Sequence, residues 1–381
     1  MQHFDIIIVG LGAMGASAAM ELAARKIKVL GLEQFDIPHA LGSSTGFSRM
    51  IRLAYYEHPD YVPLLRRAYK RWTVLEAKTQ QKLLYLTGGL YIGPRDGGLI
   101  TGSLQAARLH HLDHELLDAG QMADRYPQFN LPAEWVTMHE PMAGFLLPEK
   151  VIAAFADQAL RSGAELHGRE AVVDWKSDSG GVIVRTARAE YRAAKVIFCG
   201  GAWSGKLLKH IGVELHVTRQ VMAWVWPKTP GDFALGKLPV WAIDNPDGSL
   251  DYGFPMMPEN PGFKIAHHGP ATQTDPDRVI RDMLPGDEET FRPALRQFLP
   301  SADGPLLSLR TCLYTNSPDQ HFIVDRHPAD DRIIIACGFS GHGFKFASVI
   351  GEVLADLAER GTTQLPAGFL GLGRFAKPTN S

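Results

Sequence analysis

No run of about 18 apolar residues occurs anywhere in the chain, which excludes a membrane-spanning helix. Cysteine is scarce: Cys199, Cys312 and Cys337 are the only three in 381 residues. They lie far apart, form no CxxC and are odd in number, which argues against a disulfide framework and for a reducing, cytoplasmic setting. Neither sign of charge dominates. A formal net charge of -2 gives no reason to expect nucleic acid or an acidic membrane as a partner. The opening MQHFDIIIVG has no basic segment before its apolar run, and that run is too short for a signal peptide. The final KPTNS is not a peroxisomal address. Repeats and low-complexity segments are absent too.

What remains is an ordinary globular composition in a chain too long for one comfortable core, so two domains are expected. The first thirty-five residues are the most readable. Asp5–Val9 is a short β-branched apolar run, fit for a buried parallel strand. Gly10-Leu11-Gly12-Ala13-Met14-Gly15 follows, then a helix of small residues, then a second strand, Lys28–Leu32, ending at Glu33. This is GxGxxG inside a βαβ unit, with an acid placed to accept hydrogen bonds from a ribose. The first glycine permits the turn, the second lets backbone approach a pyrophosphate, and the third lets helix and strand pack closely. A dinucleotide follows, although the motif does not separate NAD from FAD. Further on, helical spacing covers 60–79 and 150–162. Strands are expected at 84–92, 181–187, 195–199 and 332–336, and many short strands between 216 and 318. The alternation implies an α/β fold with two domains braided through one chain.

A second glycine turn, Gly338-Phe339-Ser340-Gly341-His342-Gly343, again joins a strand to a helix. Its helix N-terminus could stabilise negative charge on a reduced flavin, which favours FAD; a plain packing loop is the alternative. Arg49 and Arg52, three apart on an expected helical turn, would share a face and offer guanidinium forks to a carboxylate. Lys264 alternates with Phe263 and Ile265, the pattern of a lysine on a strand's wet face. Lys345 opens a helix, where its charge opposes the dipole. His267 and His268 are adjacent on a strand and point to opposite faces, so no metal site is expected. Cys312 by itself reads as a small buried hydrophobe.

Four blocks, GSSTGFSRMIRLAYYE, GFKIAHHG, CLYTNSPDQHFIVDRHP and CGFSGHGFKFASVIGE, together resemble the monomeric sarcosine oxidase family, which includes N-methyltryptophan and pipecolate oxidases. The likeness runs from Phe4 to about Phe375. It implies a glutathione-reductase-like FAD domain interleaved with a mixed-sheet substrate domain. The expected FAD-domain segments are 1–80, 150–215 and 319–381; the expected substrate-domain segments are 81–149 and 216–318. The resemblance implies cofactor contacts from Gly10, Gly12, Ala13, Met14, Gly15, Glu33, Ser43, Ser44, Gly341, Gly343, Phe344 and Lys345. It also implies a thioether from Cys312 to the flavin 8-methyl carbon.

Arg52 and Lys345 match the pair that holds the substrate carboxylate, and Arg49 an arginine near the flavin used in attachment and catalysis. Lys264 matches the lysine beside which oxygen is reduced. Tyr252 and His268 match pocket positions, and Tyr314 lies near the tether. Ser44-Thr45-Gly46 stands where the sarcosine and N-methyltryptophan oxidases carry His-His-Gly. The implied function is a monomeric flavoprotein oxidase of a secondary amino acid, making hydrogen peroxide from oxygen. Sarcosine, a bulkier N-methyl amino acid, pipecolate or proline, and iminodiacetate all stay open as substrates. A flavin dehydrogenase with another electron acceptor, a nicotinamide dehydrogenase and a non-catalytic FAD-binding module are the rival readings.

Overall fold

The computed structural model describes residues 1–208, 211–258, 260 and 262–376. The KPTNS tail, and with it the end of the expected last FAD-domain segment, lies outside the described residues.

The βαβ unit forms as its sequence dictates. Strand β1 (Gln2–Val9) runs parallel to β2 (Val29–Leu32) on one side and to Glu190–Phe198 on the other. Ile6, Ile7 and Ile8 are all buried, because a central parallel strand is covered on both faces. Helix α1 (Ala13–Ala24) joins the two strands and packs against the helices Pro148–Arg161 and Ala347–Arg360. Its small residues set that closeness: a β-carbon on Gly351 would stand 2.1 Å from Ser17 Oγ. Asp330–Cys337 extends the sheet in parallel beyond Glu190–Phe198, so both glycine turns leave the same ends of parallel strands. The long helix expected at 60–79 is Tyr61–Thr79, with Tyr61, Leu65, Tyr69, Trp72 and Leu75 buried along one face.

A second sheet of eight strands carries the other candidates. Its order begins Leu306–Asn316, His216–Val225, Phe263–His268, Leu250–Phe254. Cys312, Lys264 and Tyr252 therefore lie on three nearby strands of one sheet, each from a separate part of the sequence. This sheet has its own apolar core, built on Leu90, Trp241, Phe263 and Phe291. It is mixed: Val240–Asp244 runs parallel to Gly89–Gly93 while its other described pairings are antiparallel.

A small third sheet corrects one expectation. Residues Arg49–Ile51 form a strand, β3, paired antiparallel with Gly144–Leu146, not a helical turn. Along extended backbone an odd separation puts side chains on opposite sides, so Arg49 and Arg52 do not share a face. They enter two different environments.

Candidate cofactor cavity and active site

A cavity of about 410 Å³ runs from the first glycine turn to the second sheet. At one end Gly10, Gly12, Ala13, Met14 and Glu33 line it. The three glycines are not equivalent. Gly10 has φ +93°, and a β-carbon there would meet Cys199 O at 2.4 Å. A β-carbon on Gly15 would sit 1.8 Å from Gly10 O, so Gly15 packs beneath the turn and does not line the cavity. One on Gly12 would meet nothing within 4 Å. The middle glycine thus leaves open the space a pyrophosphate needs, above the free N–H groups that begin α1. Glu33 is 5% exposed; its carboxylate accepts from Leu11 N at 2.9 Å and from Phe35 N at 3.0 Å. Those bonds fix the acid at the end of β2, facing the cavity. The residues fit FAD.

At the other end lie Ser43, Ser44, Arg49, Tyr252 and Cys312, and the second glycine turn contributes Gly341, Gly343 and Phe344. A β-carbon on Gly341, where φ is +80°, would fall 2.3 Å from the ring of Tyr314. That close approach explains a glycine here. Cys312 is 2% exposed, and its sulfur touches only weak partners: Ser43 O at 3.6 Å and Arg49 Nη2 at 3.6 Å. A guanidinium thus stands directly beside the thiol. Arg49 also donates to Ser43 O at 2.9 Å and Ser48 O at 3.0 Å.

Lys264 departs from the wet-face reading. It is 1% exposed, because both faces of Phe263–His268 are covered there. Its ammonium donates to Gly46 O at 2.8 Å, Ser48 O at 2.7 Å and Ser48 Oγ at 3.2 Å. The ring of Phe254 lies below it, 4.6 Å away. Burial, and next the neighbouring Arg49, push its pKa well below the ordinary lysine value. The charge of Glu149 opposes that shift, and carbonyl oxygens and an aromatic face are partners suited to an ammonium.

Arg52 and Lys345 meet on the far side of β3, outside the cavity lining. Arg52 is 6% exposed and donates through Nη2 to both oxygens of Glu57, at 2.6 Å and 2.7 Å. It stacks on Tyr55 at 4.4 Å and Tyr56 at 4.8 Å. Lys345 donates to His342 O at 2.8 Å. Burial, and then Arg52, bring its pKa down to about 7, with Glu57 opposing. Burial works against ionised Glu57, but Arg52, His342 and Lys345 outweigh it and hold that carboxyl at about 2. A carboxylate already occupies the arginine fork, and it is the chain's own.

His268 joins this group to the cavity. Its Nδ1 lies 3.3 Å from Tyr314 OH, and Tyr314 is hydrogen-bonded to Tyr252. Burial, with the cations Lys345 and Arg52 against the pull of Glu57, keeps His268 neutral down to about 4. His267 has another partner, Asp251, 3.0 Å away. Thr45 is turned from the cavity altogether: its hydroxyl donates to Glu149 Oε1 at 3.2 Å. The Thr45 hydroxyl therefore bears on the loop and not on the polarity of the cavity wall.

Three residues went unread in the sequence. Glu57 closes the block that carries both arginines, and its signal was an acid five residues after Arg52 in an otherwise apolar and aromatic run. His342, inside the second glycine turn, faces Tyr55 OH through Nδ1 and Gln320 O through Nε2 at 2.9 Å. Glu149 stands a hundred residues from the loop it holds, at the start of a helix, where an acid is expected for the dipole alone.

Three comparisons bear on identity. The Streptomyces avermitilis protein named monomeric sarcosine oxidase is 40% identical over 377 residues, covering 98% of each chain. The N-methyl-L-tryptophan oxidase of Escherichia coli is 35% identical over 361 residues, covering 93% of this chain and 95% of that one. Among solved structures, the open form of NikD, described as an unusual amino acid oxidase essential for nikkomycin biosynthesis, superposes with a TM-score of 0.86. It is 25% identical and covers 97% of this chain and 98% of its own. Residues 5–357 match the family described as FAD dependent oxidoreductase (DAO). With a glycine turn shaped for a pyrophosphate and a cavity leading from it to a buried cysteine, the chain belongs to the FAD-dependent oxidoreductase family.

Proposed function

We propose that the protein is an oxidase of secondary amino acids, with FAD tethered through Cys312 and oxygen as electron acceptor. One observation carries this reading: a single cavity with Gly12 open at one end and the Cys312 thiol beside Arg49 at the other. When bound, FAD supplies the redox chemistry, taking a hydride equivalent from the C–H beside the amine and passing two electrons, with two protons, to oxygen as hydrogen peroxide.

The chain's own groups do the rest. Lys345 and Arg52 hold the substrate carboxylate, which must displace Glu57 from the fork it occupies. His268 and Tyr314, neutral at working pH, border the amine and leave it uncharged, the form from which a hydride departs. Tyr252 and Tyr314 close the apolar side of the pocket. Water hydrolyses the imine product. Lys264, a buried cation held by carbonyls near Arg49, stabilises the negative charge that oxygen acquires on reduction. The three cysteines are free and buried, which supports a reducing cytoplasm, and the sarcosine oxidase relative is named as a monomer. Among the described residues no helix is long and apolar enough to cross a membrane.

Peroxide release in air tests the activity, against sarcosine, N-methyltryptophan, pipecolate, proline and iminodiacetate. Release with one of them is expected. Bleaching of the yellow colour under nitrogen without peroxide in air would move the acceptor from oxygen to another carrier, and no bleaching with any amine would overturn the reading. Acid precipitation tests the tether: a yellow pellet is expected, and a colourless pellet under a yellow supernatant would sink it.

A further inference from the structure

We propose that Glu149 is a positioning residue of the active site, clamping residues 45–47 in a left-handed turn that in turn fixes Lys264 and Arg49 beside the cavity. The proposal rests on the reading of Lys264 as the group beside which oxygen is reduced. Gly46 and Phe47 are consecutive residues at φ +96° and +66°. Phe47 has a side chain, so the turn is one the backbone avoids unless something holds it. The turn closes with a hydrogen bond from Ser48 N to Gly46 O at 2.7 Å, and the N–H groups of Gly46 and Phe47 both face one carboxylate.

That carboxylate is Glu149. Gly46 N donates to its Oε1 at 2.7 Å, and Phe47 N to both oxygens at 3.2 Å. The Thr45 hydroxyl adds a third donor at 3.2 Å. The other side of the turn presents oxygens. Gly46 O belongs to the same peptide unit as Phe47 N, and it accepts from Lys264 Nζ at 2.8 Å. Carboxylate, one peptide group and ammonium thus stand in line, and each polarises the next. Ser48 O, immediately after the turn, accepts from both Lys264 and Arg49. The hydrogen bonds of Glu149 go to the turn and to neither cation; its charge reaches both through space, and its hold on their position runs through the backbone. A side chain on Gly46 would strike Met222 at 2.8 Å, so the turn cannot be held by bulk.

Two measurements on Glu149→Gln, beside Lys264→Met, test this. The first is amide hydrogen exchange in the flavin-free protein. Exchange at Gly46 and Phe47 should quicken about tenfold or more in Glu149→Gln while the helix 148–161 is unaffected. The second separates the half-reactions in the loaded protein. Lys264→Met should slow flavin reoxidation about 100-fold, and Glu149→Gln about tenfold, with reduction by substrate changed less than about twofold in either. Thr45→Ser should keep the wild-type exchange and Thr45→Val should not. Unchanged exchange in Glu149→Gln, or unchanged reoxidation there while Lys264→Met is slow, overturns the proposal. Should Lys264→Met reoxidise at the wild-type rate, the reading of Lys264 fails instead, and exchange at Gly46 and Phe47 alone then decides whether Glu149 clamps the turn.

Discussion

Strand β3 has a cation pair on each side, and each pair has its carboxylate, yet the two carboxylates are used in opposite ways. On one side Glu149 bonds only to backbone and a hydroxyl, leaving Arg49 and Lys264 to carbonyls and the Cys312 thiol. On the other, Glu57 sits directly in the fork of Arg52, with Lys345 close behind. The first arrangement keeps two cations aimed, with no carboxylate hydrogen-bonded to either. The second keeps its charges balanced until another carboxylate arrives. A site for developing negative charge should be preorganised, whereas a site for a ligand that enters and leaves should have an exchangeable occupant.

Cutting the direct ion pair should have the largest effect. Arg52→Ala leaves a half-buried carboxylate without its fork and should lose about 3–5 kcal/mol. Adding Glu57→Gln to it should recover much of that, and denaturant midpoints of the single and double variants measure the coupling. Glu149→Gln, which removes no ion pair, should cost only about 1 kcal/mol in the same assay.

Acid acts on the Arg52 side alone. His268 and His342 stay neutral in the fold to about 4 and about 3, mainly because they are buried, whereas an unfolded histidine protonates near 6.5. The unfolded chain therefore binds more protons below about pH 6.5, and stability should fall with pH by up to about 1.4 kcal/mol per unit for each ring. The loss should run between 6.5 and 4 and be shallower in His268→Asn, read from melting temperature against pH.

Lys345 sharpens the contrast at the other end of the scale. With its pKa near 7, its ammonium is present below neutrality and lost above. Affinity for a carboxylate ligand lacking an amine should therefore weaken as pH rises through about 7, and Lys345→Arg, charged throughout, should flatten that dependence. Lys345→Met should weaken binding about tenfold at pH 6, a charge-assisted bond's worth. Thr45→Val should have the smallest effect, about 1 kcal/mol of stability or less, with affinity for the carboxylate ligand unchanged.

The local parts of this molecule were legible in its sequence. The βαβ unit from Asp5 to Glu33 forms as its residues predict, because the turn, the apolar strand and the terminal acid fall within neighbouring residues, although Gly15, expected at the cofactor, packs beneath the turn. Cys312 and the second glycine turn were reached only as a block, by resemblance. Arg49 and Arg52 were assigned a shared face because spacing alone cannot distinguish a turn of helix from a strand of three residues, whose existence depends on Gly144–Leu146 nearly a hundred positions away. Lys264 looked wet for the same reason: alternation marks two faces, not whether the second one is covered. Glu149 was invisible, since the groups it holds are backbone amides, which every residue has.

Strand β3 is only three residues long. Which arginine faces the thiol and which faces Glu57 depends on its alignment with Gly144–Leu146, where Arg49 lies opposite Leu146 and Ile51 opposite Gly144. Gly144 has no latitude, because a β-carbon there would stand 1.9 Å from Tyr85 O. A deletion of one residue just ahead of Arg49 would be a minor edit at most sheet edges. Here it would exchange the two halves of the chemistry, so this segment should tolerate substitutions far better than changes in length.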